Sequence, residues 1–180
     1  TVNPGGTPCR CGSAGCLETE IGERVLLIRA GHAADEGRDG IDAVLVEAGR
    51  GGQLALAALE HVGRWMGIGL GGVVNVVNPR IVILGGPNAR LLPFIEAPLI
   101  TELERHALAA SRAGLSVVPA ALGADAPLLG AAEMAFGAAR RSGGLLRPDH
   151  ADHPQGERLM SARFATEPAM GFAVHLWRHA

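Results

Sequence analysis

Apolar residues recur at helical spacing through much of the chain, and the pattern is clearest over residues 53–77. Spacings of three and four place apolar side chains on one stripe of this segment, as in an amphipathic helix. The stripe consists of Leu59, Val62, Met66, Leu70, Val73 and Val77. The same periodicity predicts three further helices, over residues 17–30, 89–110 and 127–140. Residues 41–47 fit either a short strand or a helix.

Two short apolar runs predict strands. The run Ile81–Leu84 is wholly apolar, rich in β-branched residues, and bounded by Pro79 and Gly85. Such a run is typical of a central strand that is covered on both faces. Residues 115–119 predict a second strand. Strands that alternate with helices indicate an α/β fold with a buried sheet.

Two glycine patterns could mark ligand-binding loops. Residues 67–72 match G-x-G-x-x-G, but a dinucleotide-binding loop must follow a strand and open a helix. Because this match lies inside a helical pattern, we interpret it as a site of close helix packing. Gly85 and Gly86 do follow a predicted strand, where bare backbone could approach a ligand near a helix N-terminus. A tight turn alone would also explain this pair, so both interpretations stay open.

Composition narrows the possible functions. Of the 180 residues, 48% are hydrophobic and only 3% aromatic, so aliphatic side chains must build the interior. The formal net charge of -2 gives no general attraction to nucleic acid or to anionic membranes. No apolar run approaches the roughly 18 residues of a membrane-spanning helix, and no signal peptide opens the chain. We therefore predict a cytoplasmic protein with no membrane partner.

The segment 142–180 differs in character from the rest of the chain. It shows no sustained periodicity, and we predict an irregular, disordered tail after a lobe that occupies residues 1–141. Four of the seven histidines fall in this tail. Their spacing fits no metal-site geometry, so a solvated tail is the favoured interpretation over a metal site. These residues are His150, His153, His175 and His179.

The only three cysteines of the chain, Cys9, Cys11 and Cys16, fall within eight positions. Their neighbours are mainly Pro, Gly, Arg and Ser, which argues against three small side chains buried in a core. An odd, clustered set suits a metal better than a disulfide framework, and zinc is the usual ion for converging thiolates. Structural zinc takes four protein ligands. The nearest histidine, His32, lies sixteen residues beyond Cys16 and after a predicted helix.

The segment Cys9-Arg-Cys-Gly-Ser-Ala-Gly-Cys-Leu-Glu18 closely resembles the C-x-C-G-x-x-G-C-x-E signature of the ROK family. That family comprises repressors, open reading frames of unknown role and sugar kinases. The resemblance continues through Val74-Asn-Val-Val-Asn-Pro-Arg-Ile-Val-Ile-Leu-Gly-Gly86, similar to the family's asparagine-proline, strand and double-glycine segment. Residues 122–133 look like the family's last helix. The resemblance thus covers residues 1 to about 140.

The resemblance implies a fold of two actin-like ATPase (ribonuclease H-like) lobes that close over sugar and nucleotide. This chain looks like most of the second lobe, truncated at its N-terminus, with a zinc-binding cysteine knuckle at about residues 9–18. Cys9, Cys11 and Cys16 would hold Zn²⁺. The family places the fourth ligand, a histidine, ten residues before the first cysteine, which lies upstream of Thr1.

Three residues outside the cysteine set receive expected roles from the same resemblance. Glu18 matches the glutamate that binds sugar hydroxyls in family members, although an acid in the first helical turn could serve the helix dipole alone. Gly85 and Gly86 match the turn that lies beside the nucleotide in the kinases. No catalytic residue is expected in this chain, because the phosphate-binding loop, the catalytic aspartate and the Glu-x-Gly-His segment would lie upstream.

The resemblance leaves two function classes open. In a repressor, an upstream helix-turn-helix would bind DNA while this lobe binds a sugar effector. The amino-acid sequence of residues 122–133 resembles this class more closely. In a sugar kinase of the glucokinase or N-acetylhexosamine kinase type, ATP and Mg²⁺ would be required, and this chain alone would be inactive. A third alternative is a non-catalytic oligomerisation lobe, because family members commonly pair through this half, and a homodimer or tetramer is also expected.

Overall fold

The computed structural model describes residues 1–123, 126–141 and 174–177. Thr1–Gly123 and Phe172–Ala180 form one compact unit, and Ala124–Gly171 form a second. The helices of the first unit are α1 (Leu17–Ile21), α2 (Glu23–Ala30), α3 (Gly37–Gly49), α4 (Gln53–Val77), α5 (Pro87–His106) and α6 (Ala109–Arg112). Its strands are β1 (Ile81–Leu84), β2 (Ser116–Pro119) and β3 (Val174–Trp177), and the second unit contributes α7 (Ala126–Arg141).

Helix α4 runs through the centre of the hydrophobic core, and its 25 residues have the bounds that the sequence predicts. The helix ends at Val77 and is capped by Asn78, whose φ of 50° lies in the left-handed region that asparagine tolerates. Most of the predicted apolar stripe is buried. The stripe predicts that Val73 is buried, but Val73 is exposed and Val74 is buried instead. The spacing of four residues continues beyond Leu70 and therefore places Val74 on the buried face.

Three glycines of α4, spaced four residues apart, bring α5 into backbone contact. A Cβ atom added at Gly67 would lie 2.3 Å from the carbonyl oxygen of Leu99 on α5. Gly63 and Gly71 face α5 with similarly close approaches of 2.7 Å to its side chains. The G-x-G-x-x-G match therefore lies within a helix and serves packing, which confirms the prediction from its helical context.

Polar side chains reinforce the same pair of helices. Glu102 of α5 is only 6% exposed, and the Nε atom of Arg64 on α4 lies 3.5 Å from its carboxylate. The side chain of Asn75 bridges the end of α5: its amide donates to the carbonyl of His106, and its oxygen accepts from the Leu108 N–H. These bonds satisfy backbone groups that the end of α5 leaves unpaired.

The sheet has the strand order β2-β1-β3. Strands β1 and β2 are parallel, with Ile81 opposite Ser116, while β3 runs antiparallel to β1. This mixed sheet confirms the predicted α/β class. Val82 and Leu84 are buried, but Ile81 is 38% exposed. Only one face of β1 is therefore fully covered, where its apolar run predicts two.

Strand β3 lies within the segment 142–180, for which the sequence predicts an irregular tail. Its four residues pair with β1 over the full length of that strand. The other residues of the tail, and with them the predicted disorder and the histidines His150, His153 and His179, lie outside the described part of the chain. The prediction of a disordered tail stays a prediction.

The remaining helices differ from the predicted ranges in bounds or continuity. The single helix predicted over residues 17–30 is broken at Gly22, where ψ is 155° and a Cβ atom would lie 2.6 Å from the carbonyl oxygen of Glu18. Residues 41–47 belong to helix α3, which resolves the open alternative. Residues 127–140 fall within α7. In the described part of the chain, no helix is long and apolar enough to cross a membrane.

Candidate metal and ligand site

A short loop that begins at Pro8 carries the first two cysteines. Pro8 and Ala14 pair as an isolated antiparallel bridge, and the Cys9 N–H donates to the carbonyl of Ser13 over 2.7 Å. Gly12 makes the turn between them with a φ of 88°, a conformation that glycine adopts without strain. Backbone hydrogen bonds, not core packing, therefore close this loop.

The three cysteine thiols converge at the base of the loop. The Sγ atoms of Cys9, Cys11 and Cys16 all lie within 4.8 Å of one another, and those of Cys11 and Cys16 are 3.4 Å apart. A tetrahedral zinc ion with Zn–S bonds of about 2.3 Å places its sulfurs about 3.8 Å apart. Three unbridged thiols at these distances fit such an ion. No other described group of three or more such donors could hold a metal.

The electrostatics of the thiols favour one shared negative charge. A hydrogen bond from the Ser13 backbone lowers the pKa of the Cys11 thiol, and the neighbouring thiols of Cys16 and Cys9 lower it further. Hydrogen bonding to Cys11 and then to Cys9 raises the pKa of Cys16 to about 11. Without a cation, the second and third thiolates would repel the first, and a bound Zn²⁺ would remove that repulsion.

His32, the histidine nearest to the cysteines in sequence, faces elsewhere. Its Nδ1 atom lies 2.9 Å from Glu36 and its Nε2 atom 3.3 Å from Glu47. Both ring nitrogens are therefore engaged by carboxylates. The expectation of a fourth ligand upstream of Thr1 stays a prediction.

Glu18 lies in the first turn of α1, two residues after Cys16. Helix α1 begins directly at the end of the cysteine loop, so the thiols and this carboxylate share one continuous stretch of backbone. The Glu18 side chain is exposed. Within the described residues it has no hydrogen bond or ion pair, which leaves both carboxylate oxygens available to accept bonds from ligand hydroxyls.

Gly85 and Gly86 belong to a different part of the unit, where they join β1 to α5. Gly86 has a φ of 58° and a ψ of -141°, a combination that essentially only glycine adopts. A Cβ atom added there would meet nothing within 4 Å, so the backbone of this turn faces open space. The turn follows the carboxyl end of a parallel strand, where ligands commonly bind in open α/β sheets.

Sequence reasoning missed three residues that surround the cysteine loop. Glu20 is only 5% exposed, its carboxylate accepts a hydrogen bond from the Asn3 side chain over 2.8 Å, and its second oxygen lies 3.5 Å from the Nε2 atom of His61. The spacing of Leu17, Glu20 and Ile21 contained a usable signal. Residues three and four apart share a helix face, so Glu20 stands on the apolar face of α1.

Comparison with known proteins identifies the family. The family model described as "ROK family" matches residues 1–137, which is most of the chain. The chain belongs to the ROK family. That assignment agrees with the cysteine-containing signature and with the segment from Val74 to Gly86.

The relatives within the ROK family include both regulators and kinases. The chain is 35% identical over 129 residues to the DNA-binding transcriptional dual regulator NagC of Escherichia coli K12, covering 65% of this chain and 31% of the relative. It is 27% identical over 144 residues to a glucokinase of Halalkalibacterium halodurans, covering 72% of this chain and 44% of the relative. The chain thus spans less than half of either protein.

A solved structure of the same family extends the comparison to the fold. A ROK-family glucokinase from Streptomyces griseus, in complex with glucose and AMPPNP, matches with a TM-score of 0.62 and 26% identity. The match covers 74% of this chain and 48% of that structure. Structural neighbours of this family have the actin-like ATPase fold, and the mixed α/β arrangement of the first unit is part of it.

Proposed function

We propose that this chain is the sugar-sensing lobe of a ROK-family transcriptional repressor, with zinc held by Cys9, Cys11 and Cys16 and a sugar effector held by Glu18. The observation that carries the proposal is the convergence of three thiols directly before the helix that presents an exposed carboxylate. Zinc would fix the start of α1, so that the carboxylate of Glu18 meets two sugar hydroxyls in a fixed geometry.

The repressor class is preferred over the kinase class on two grounds. The identity to the NagC regulator is 35%, compared with 27% to the glucokinase. A sensing lobe also requires only binding, and an exposed carboxylate in the first turn of a helix supports binding without a catalytic base. DNA would be bound through a different domain, because the formal net charge of -2 offers no general attraction to DNA phosphates.

Sugar binding by the purified chain tests the role of Glu18. Calorimetric titration with a panel of hexoses and N-acetylhexosamines should reveal a ligand, and Glu18→Gln should weaken its binding about 10- to 100-fold, since a charged acceptor contributes about 1.5–3 kcal/mol. Glu60→Gln is the matched control, because Glu60 is an exposed glutamate on α4. Equal affinity of wild type and Glu18→Gln for the ligand found would refute the assignment.

The sugar-kinase function is the second candidate. The structural match to a glucokinase that holds glucose and AMPPNP favours it, as does the open space around Gly86 in the turn after β1. In a kinase this turn would lie beside the ATP, and Mg²⁺ would accompany the phosphates. Because the catalytic base of a kinase would lie outside this chain, the test uses the full-length protein, which should yield no ADP above the sugar-free blank when incubated with ATP, Mg²⁺ and a hexose. Sugar-dependent ADP formation would contradict the repressor proposal.

A further inference from the structure

A buried carboxylate lies directly behind the cysteine loop. Glu20 projects from α1 and is only 5% exposed, although burying a carboxylate is costly unless its oxygens find partners. One oxygen accepts a hydrogen bond from the Nδ2 atom of Asn3, seventeen residues earlier, over 2.8 Å. Glu20 therefore ties the segment that precedes the loop to the helix that follows it.

Asn3 in turn holds the backbone beside the third cysteine. The N–H groups of Val2 and Asn3 both donate to the carbonyl of Gly15, over 2.8 and 3.0 Å. The approach is so close that a Cβ atom added at Gly15 would lie 1.6 Å from the Asn3 carbonyl oxygen. Because Gly15 immediately precedes Cys16, Asn3 contacts the backbone directly beside the third thiol.

The second oxygen of Glu20 faces the core helix α4. It lies 3.5 Å from the Nε2 atom of His61, a buried nitrogen that makes no hydrogen bond within the described residues. Contacts therefore run from α4 through His61, Glu20 and Asn3 to Gly15. They link the most deeply packed helix of the unit to the cysteine loop, whose own contacts are mainly backbone hydrogen bonds at the surface.

We propose that Glu20 is the positioning residue of the cysteine loop: through Asn3 it holds Gly15, and hence Cys16, in the geometry that binds the metal. The inference rests on the proposed zinc site and assigns to it a residue outside the C-x-C-G-x-x-G-C-x-E signature. Residues that orient metal ligands in this indirect way typically change metal affinity by about 10- to 100-fold when removed.

Zinc affinity, measured by competition with a chromophoric chelator, provides the test. The Glu20→Ala variant should bind zinc about 10-fold or more weakly than the wild-type chain does. Glu20→Gln should restore most of the affinity, because its amide oxygen can still accept from Asn3. Glu102→Ala is the matched control: it removes a carboxylate of nearly equal burial, 6% exposed, from the contact between α4 and α5. That variant should lower the melting temperature and leave zinc affinity unchanged.

The Asn3→Ala variant tests the same contact from the other side, because it keeps the Glu20 carboxylate and its approach to His61 in place. It should reproduce the zinc defect of Glu20→Ala. Amide hydrogen exchange, followed in zinc-free protein, should be faster at Gly15 in both variants, because the Gly15 N–H bonds to Thr7 within the same loop. Unchanged zinc affinity and unchanged Gly15 exchange in both variants would overturn the role of Glu20. A wild-type chain that binds no zinc would instead refute the metal site, whatever the exchange rates.

Discussion

His61 is a half-buried base whose protonation opposes folding. Burial lowers its pKa below the ordinary value of about 6.5, the positive charge of Arg29 lowers it further, and Glu20 acts in the opposite direction. Arg64, which lies one helical turn away on α4, also lowers it. In the folded protein the ring is therefore neutral over a wider pH range than in the unfolded chain.

This pKa predicts a loss of stability in acid. For a histidine whose folded pKa is depressed, the unfolded state binds the proton more readily, so stability is full above about pH 6.5 and is lost as pH falls through the folded pKa. Urea unfolding of wild type between pH 7.5 and pH 5 should therefore show a larger loss than His61→Gln, whose side chain does not titrate. Parallel pH curves for the two proteins would contradict the prediction.

His32 predicts the opposite pH dependence. Hydrogen bonds to Glu36 and Glu47 raise its pKa, although desolvation works against them. A raised folded pKa means that the contribution is fully present below about pH 6.5 and is lost as pH rises through the folded value. The stability difference between wild type and His32→Gln should therefore be larger at pH 6 than at pH 9. A difference that grows with pH would show that the ion pairs do not form.

At the residue scale, the sequence predicts what is local and misses what is distant. Cys9, Cys11 and Cys16 are recognisable because their ligand spacing is contained in eight positions, and the structure brings their thiols together. The partners of Glu20 lie seventeen and forty-one residues away, at Asn3 and His61. No periodicity encodes such a contact, so the sequence shows only that a charge stands on an apolar helix face.

At the scale of elements, the contact between α4 and α5 depends on glycine. Gly67→Ala would place a methyl group 2.3 Å from a backbone carbonyl that cannot move without shifting α5. We expect destabilisation of about 1–3 kcal/mol from overpacking, in spite of alanine's higher helix propensity. Gly72→Ala, in the same helix, meets nothing within 4 Å and should stabilise by up to about 1 kcal/mol. Urea unfolding of both variants measures the contrast.

The result for the control decides how the first result is interpreted. If both substitutions destabilised equally, backbone effects common to α4 would be responsible, and the close approach to Leu99 would not. If both were stabilising, α5 would have to be able to move away from the added methyl group at small cost.

Helical periodicity predicts long elements better than their interruptions. The 25 residues of α4 are correct at both ends, because Pro79 and the glycines before Gln53 bound a sustained apolar stripe. The break at Gly22 escapes detection, since the apolar spacing continues across it while the backbone turns. Strand β3 is missed because its pairing with β1 spans some ninety residues and leaves no local signature.

At the scale of the molecule, the two candidate sites are held in place by different kinds of structure. The glycine turn after β1 is held by a strand with parallel and antiparallel partners and by the long helix α5. The cysteine loop precedes the short helix α1, and its attachment to the core depends on few side chains. A surface loop of this kind has little apolar burial to stabilise it, so metal binding should contribute a large share of its order.

Metal removal should therefore destabilise this unit. Zinc present at 100 times its dissociation constant should raise the free energy of unfolding by about 2.7 kcal/mol, because the ion binds the folded loop and not the unfolded chain. Chelation should lower the melting temperature of wild type, and it should leave unchanged a Cys9→Ser/Cys11→Ser variant, which retains a single thiolate. Ser13→Ala keeps every thiol and the backbone bond to Cys9, so it should respond like wild type. Calorimetry with and without chelator measures all three. A loop ordered by its backbone hydrogen bonds alone would melt at the same temperature with and without chelator. If chelation left the melting temperature of wild type unchanged, zinc would not organise this site.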